Sequence, residues 1–303
     1  MARHPQLLDW LFLSVLVVTW GSSFAMTKIA VAQLDAAWIA ALRLAIAAVV
    51  LVPYAYAAGQ PLHSPLASWK KFSLLGLIGH AAPFFLISWG TGFVSSSVAG
   101  LLMGAIPLIL IVLAHFFMPG EPLTLTKSLG FLSGFAGIVI LIGPASLLDM
   151  SFTGHELIGE AAILGGCFCY AIHAITAKRL GIEHPIRQTS AVCLAGAFMA
   201  VIFAALHRPD GLDHAPAAAL WAVVGLGLFP TAFASLLLYH LLDRSGPTFV
   251  AYSNYLVPVF AVLLGAAALG ESLSLNILAA LALILAGIAI SRWQARSTKE
   301  TPA

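Results

Sequence analysis

The chain has 303 residues, 61% of them hydrophobic and 9% charged, with a formal net charge of +2 and a mean hydropathy of +1.00. A soluble domain carries roughly a quarter charged residues, so this composition excludes an ordinary water-faced fold and points to a chain immersed in a bilayer. The near-neutral balance, with no basic stripe or charged tail, also excludes nucleic acid as a partner.

A membrane-crossing helix needs about 20 mostly apolar residues. Ten such segments follow one another, at roughly 9–30, 36–58, 68–90, 94–118, 126–143, 157–179, 187–206, 216–240, 246–268 and 274–293. The runs do not alternate apolar and polar residues, which speaks against a β-barrel. Gly59-Gln60-Pro61, Pro119-Gly120-Glu121-Pro122, Arg208-Pro209-Asp210-Gly211 and Ser245-Gly246-Pro247 supply turn chemistry between them. The first run is long enough to span and is followed by further spans, so it reads as a membrane helix rather than a cleaved signal peptide.

Lysine and arginine set the expected orientation. With the N-terminus in the cytoplasm, eleven fall on the cytoplasmic side, Lys28 and Arg208 fall outside, and Arg43 lies within the second span, accounting for all fourteen. That asymmetry is the one expected of membrane proteins, and it places both termini inside. Six of the seven tryptophans lie near predicted helix ends, where amphipathic rings settle; Trp20 is the exception.

Shifted by 150 residues, the sequence partly matches itself. Lys28 falls on Lys178, Trp20 on Tyr170, Gly120-Glu121-Pro122-Leu123 on Gly270-Glu271-Ser272-Leu273, and Gly137-Ile138 on Gly287-Ile288. Pro107 and Pro258 match with a slip of one. The expected organisation is a first five-helix repeat at 1–143, an external linker at 144–155, a second repeat at 156–293 and a cytoplasmic tail at 294–303. Five is odd, so the second copy enters the membrane inverted. Two inverted halves can exchange conformations around a central site, which is the logic of a carrier working by alternating access.

The repeat also selects candidate cavity residues. Trp20 and Tyr170 are equivalent, and one turn on so are Ser23 and His173; residues three apart share a helix face. Each half thus offers an aromatic ring with a polar group one turn away, a pairing suited to an amphipathic solute. Helix nine carries Asn254 and Tyr255 just before Pro258, and a proline lacks the N–H that the carbonyl one turn earlier would accept from. Met103 is the slipped counterpart of Asn254 on helix four, and Pro107 and Pro258 are the expected kinks. His80, with Phe84 one turn later, lies mid-span in helix three; it suits a carboxylate or a proton, or a plain bond to a backbone carbonyl.

Glu121 and Glu271 lie near the N-termini of helices five and ten, where the helix dipole favours an anion, and read as caps. No acidic residue lies deep in a span, and Glu160 is only shallowly inside helix six, so uniport is expected over proton coupling. Cys167, Cys169 and Cys193 read as packed reduced thiols, and no metal or cofactor is expected. The Gly100/Gly104 and Gly130/Gly134 pairs read as close packing within the chain, with homodimerisation as the alternative.

Trp20-Gly21-Ser22-Ser23-Phe24 with Lys28, Ala40-Ala41-Leu42-Arg43, and the Gly-Glu pairs at 120–121 and 270–271 resemble the EamA-type members of the drug/metabolite transporter superfamily. The overall run is most similar to the aromatic amino acid exporters of that group. The resemblance implies an all-α membrane protein of ten helices in two inverted repeats, a central cavity, and export of amino acids or related small molecules through the cytoplasmic (inner) membrane. It also makes Arg43 a family-wide feature, read here as structural, with a carboxylate as the alternative partner. The second half departs from the pattern, with Cys193 opposite Arg43 and Tyr170 opposite Trp20. A nucleotide-sugar carrier of the same fold is the alternative, though Arg43 is the one cation inside a span to meet a phosphate. An intramembrane enzyme is disfavoured: H-E-x-x-H, the phosphate loop and the G-x-S-x-G elbow are absent. A passive channel is disfavoured as well, because no ring of charged residues is visible.

Overall fold

The computed structural model describes residues 6–118, 123–142, 154–181, 184–207 and 212–297. Among them every regular element is helical and no strand occurs. In chain order the helices are α1 (Leu7–Val31), α2 (Ala36–Ala57), α3 (Leu66–Thr91), α4 (Ser96–Phe117), α5 (Leu125–Ile142), α6 (His155–Leu180), α7 (Pro185–His207), α8 (Ala217–Gly246), α9 (Ser253–Leu269) and α10 (Leu275–Ser297). Seven of them, α1 to α4 and α6 to α8, are long and apolar enough to cross a membrane; α5, α9 and α10 contribute shorter apolar stretches. Large side chains such as Leu7, Leu206 and Trp221 stand more than 70% exposed, as an outer surface facing lipid requires. The segment expected as an external linker and the Glu121 cap lie almost wholly outside the described residues.

Local signals set the helix ends. Asp35 accepts from the Ala37 N–H at 2.7 Å and starts α2; Ser95 accepts from the Val98 N–H at 3.2 Å and starts α4, each filling a donor the first turn leaves free. Gly246 (φ 78°) ends α8, and Gly270 (φ 66°) ends α9, backbone angles that glycine adopts without strain. The expected start of helix nine at 246 therefore moves: α8 continues to Gly246, a helical turn follows, and α9 proper begins at Ser253 after a break at Ala251-Tyr252.

Apolar burial adds little to helix association inside lipid, so close backbone approach matters more. A Cβ on Gly287 of α10 would stand 2.5 Å from the Gly130 carbonyl and 2.7 Å from the Gly134 nitrogen of α5. Gly100 lies against Phe24 and Ala261, and Gly104 against Ile284. Both glycine pairs thus pack against helices of the same chain. Alanines line the α2–α7 contact: Ala40, Ala41, Ala47 and Ala48 meet Ala197, Ala200 and Ala204 in one buried cluster.

Two features recur at the spacing of the sequence repeat. One π-helical turn at Leu77–Ala81 interrupts α3, and a second at Gly227–Phe233 interrupts α8; their first residues are 150 apart. Turns of this kind inside α-helices concentrate at functional sites. Likewise α4 breaks at Met103-Gly104, four residues before Pro107, and α9 is preceded by the break at Ala251-Tyr252, ahead of Pro258.

The bundle has two unlike edges. At the Lys28 edge, α9 packs against the first segment of α4, and Ser96, Ser97, Ala99, Leu101 and Leu102 are all buried. Toward the opposite edge, which carries Asp9, the second segment of α4 turns to α6 instead and scarcely touches α9.

Candidate functional site

The π turn of α3 holds His80 where it meets α6 and α7. Its ring lies 5.8 Å from the Phe84 ring and 6.3 Å from the His173 ring, and Phe84 in turn lies 6.4 Å from Tyr170. Gly79 makes this approach possible, since a Cβ there would fall 2.1 Å from His173 Nδ1. Gly196 of α7 admits His80 in the same way, with a Cβ contact of 3.1 Å. His80 Nδ1 is sealed from solvent without a hydrogen-bond partner, a state that costs about 1–3 kcal/mol. His173 Nδ1 lies 3.2 Å from the Leu75 carbonyl; donating to it would leave Nε2 the acceptor.

The π turn of α8 supplies the other side. Thr231 Oγ1 donates to the Leu226 carbonyl at 2.8 Å and accepts from Arg43 Nε at 2.8 Å. The guanidinium carbon of Arg43 sits 3.9 Å above the centre of the Phe84 ring. Arg43 is 8% exposed, and Tyr170 and Cys193 are its electrostatic neighbours. Burying a charge costs several kcal/mol, while a desolvated cation–π contact returns about 2 kcal/mol. No acidic side chain of the described residues offsets the remainder. Of the two buried acids among them, Asp9 pairs with Arg244 at 2.8 Å and Glu160 lies five residues into α6. The pairing with Thr231, 188 residues away, was not visible in sequence; the usable signals were a guanidinium in mid-span, which needs partners, with Pro83 just after the first turn and Pro230 within the second.

The remaining predicted residues divide. Tyr170, His80, Phe84 and His173 come together. Trp20 packs at the junction of two hydrophobic clusters, one built from α1, α4, α5, α6, α9 and α10 and the other from α1, α8 and the turn after it. Met103 stands at the α4 break against the first of these, and Asn254 lies half-buried in the first turn of α9. Ser23 is buried and gives its proton to the Trp20 carbonyl at 2.6 Å, so its hydroxyl serves its own helix. The Tyr255 hydroxyl donates to the Ile288 carbonyl of α10 at 3.1 Å. Pro107 and Pro258 lie in α4 and α9 just beyond the two breaks.

Two sequence expectations change. Glu271 does not cap α10, whose first turn is served by Ser274 Oγ, the acceptor of the Ile277 N–H at 3.3 Å. Its carboxylate crosses to α4 and accepts from the Ser96 N–H at 2.7 Å, the Ser97 N–H at 2.9 Å and the Ser97 hydroxyl at 2.5 Å. The end of α9 delivers it there because Gly265 leaves room beside Ser97. Burial pushes the Glu271 carboxyl up, but the Ser97 and Ser96 donors together hold it below the ordinary carboxylate range. Glu160 is 7% exposed, because its neighbour Gly159 lets α6 press onto Gly90 of α3. Arg43 anchors the aromatic cluster to α8, in keeping with its structural reading. At the same edge as Glu271, the Lys28 ammonium donates to the Thr91 and Val94 carbonyls at 3.0 and 2.6 Å.

The likeness to known proteins agrees with this architecture. The family model described as the EamA-like transporter family matches residues 8–143 and again 157–293. An uncharacterized transporter of Archaeoglobus fulgidus is 27% identical over 93% of this chain and 97% of its own. A Streptantibioticus cattleyicolor protein named a probable terminal-alkyne amino-acid exporter is 29% identical over 84% of this chain and 83% of its own. An uncharacterized inner membrane transporter of Escherichia coli K12 is 25% identical over 86% and 83%. One crystal structure superimposes with a TM-score of 0.68 over 95% of this chain and 98% of its own; at 23% identity it speaks to the fold alone. With two family matches covering nearly the whole chain, one per repeat, this protein belongs to the EamA-like transporter family.

Proposed function

We propose that the chain is a secondary carrier exporting amino acids, aromatic ones favoured, or closely related metabolites across the cytoplasmic membrane by alternating access. In this reading all ten helices cross the bilayer, the two repeats are inverted, both termini are cytoplasmic, and the Lys28 edge faces outward. The observation that carries it is the meeting of aromatic and polar side chains at two repeat-related π turns, with α4 and α9 packed together at the Lys28 edge and scarcely touching toward the other. A wall of Phe84 and Tyr170 beside His80, His173 and Arg43 suits a solute with both a ring and polar ends. The description of the Streptantibioticus relative supports amino acids as the class. A nucleotide sugar would need several cations around its phosphates, and Arg43 is the one present in this cluster. The uniport expectation rested on the absence of a buried acid, and Glu160 removes that ground. The experiment is counterflow of labelled phenylalanine into proteoliposomes, beside threonine and a sugar. Saturable phenylalanine exchange, weakened by Trp20→Ala, is the expected result; exchange of the sugar and of no amino acid would overturn the assignment.

A further inference from the structure

Arg43 presents a guanidinium in mid-span with only part of its capacity used. A guanidinium has five N–H donors in a flat fork. Nε is taken by Thr231, which has already given its own proton to Leu226 and so is fixed as an acceptor. One face of the plane lies on Phe84, which holds the fork in a set orientation. Among the described residues the two Nη groups have no hydrogen-bond acceptor, and they are not among the sealed polar atoms, so part of their surface remains reachable. The surrounding groups are neutral hydrogen-bonding or aromatic ones: Tyr170, Cys193, Phe84 and, further off, His80. Asp9 with Arg244 shows the contrast: there a carboxylate oxygen meets the guanidinium Nε at 2.8 Å.

Resting on the carrier reading above, we infer that Arg43 is the carboxylate receptor of the transport site: a carried solute places its carboxylate on the two free Nη groups, with its body against Phe84 and Tyr170. The geometry has the elements of bidentate recognition, a planar donor pair clamped from behind by Thr231 and from one face by a ring. It narrows the solute to molecules bearing an anionic carboxylate. Esters, amides and decarboxylated amines of the same body bind more weakly. The repeat equivalent, Cys193, donates instead to the Leu44 carbonyl beside Arg43, so the site has one such receptor and an unsymmetrical preference for the solute's acid end.

The test is ligand-induced thermal stabilisation of the purified full-length protein by phenylalanine, phenylalaninamide and 3-phenylpropionate, with counterflow run in parallel. Wild type is expected to bind both acids about ten- to a hundredfold more tightly than the amide, the range of a charged hydrogen-bonded pair. Arg43→Gln erases that preference, and Arg43→Lys retains a smaller preference, having the charge but not the fork. Thr231→Val loosens the clamp yet keeps the preference. If Arg43→Gln does not fold, the Arg43→Lys ratio decides. An acid-to-amide ratio that survives Arg43→Gln, or acids and amide weakened equally, overturns the inference while amino acid counterflow leaves the carrier reading standing. Absence of both acid binding and amino acid counterflow overturns the two together.

Discussion

The two edges of the bundle are closed by different means. At the Lys28 edge the seam is made of backbone: Glu271 takes two N–H groups and a hydroxyl from the first turn of α4, and Lys28 takes the carbonyls of Thr91 and Val94. At the Asp9 edge the joint is between side chains. Arg244 meets Asp9, and Asp9 also accepts from the Gln6 N–H at 2.8 Å, while α4 and α9 lie apart. Free helix-end groups cannot be satisfied by lipid, so a seam built on them is costly to open without replacement partners. The Asp9 edge is held by that ion pair together with apolar contacts of Trp10, Leu13 and Leu16 with Phe249 and Leu241, none of which uses free helix-end groups. The difference teaches that α4 and α9 close on each other at the Lys28 edge and not at the other; in the proposed alternating-access reading that is a carrier facing the Asp9 side.

The comparison breaks most severely at Gly265. A Cβ there would lie 2.3 Å from Glu271 Oε2 and 2.4 Å from Ser97 Oγ. Gly265→Ala must displace the carboxylate from its donors, costing about 3 kcal/mol in the closed form, and a thermal unfolding midpoint lowered by several degrees is the expected outcome. Glu271→Gln is a smaller change, removing the charge but leaving one acceptor, worth about 1–2 kcal/mol. Acid should act in the same direction. Because the closed seam holds the Glu271 carboxyl below its ordinary value, the seam is fully supported above the ordinary carboxylate range and loses that support as pH falls through the lowered value. Transport that is pH-dependent in that acidic window in wild type, and flat in Glu271→Gln, would show it. Smallest is Asp9→Asn at the other edge. Arg244 is 24% exposed and solvent takes up part of its charge, so the expected loss is about 1 kcal/mol, with little change in which edge is closed.

Much of this fold was legible in the sequence because its signals are compositional. Apolar runs of bilayer length, glycine-proline turns and a 150-residue offset fixed the helices and the two copies, and the structure repeats its π turns at the same offset. Trp20, Tyr170, His80 and His173 could be selected because the repeat and mid-membrane polarity mark them without any knowledge of contacts. What stayed hidden was partnership. Glu271 reads as a cap for the helix that follows it, since helix-dipole reasoning is local, whereas its carboxylate crosses to α4. Arg43 finds Thr231 only because a π turn in α8 rotates that hydroxyl toward α2, and periodicity says nothing of such a turn. Glu160 looked shallow by position and is buried by the tight glycine contact beside it.

The most direct test of the account is the accessibility of a cysteine placed at Asn254, in a chain whose Cys167, Cys169 and Cys193 are alanine. A membrane-impermeant maleimide would be applied to right-side-out and inside-out vesicles, with and without phenylalanine. The account predicts labelling from the cytoplasmic face, slowed by phenylalanine, and labelling from the outer face only when Glu271→Gln is added. Labelling from the outer face with Glu271 in place, unaffected by phenylalanine, would contradict it.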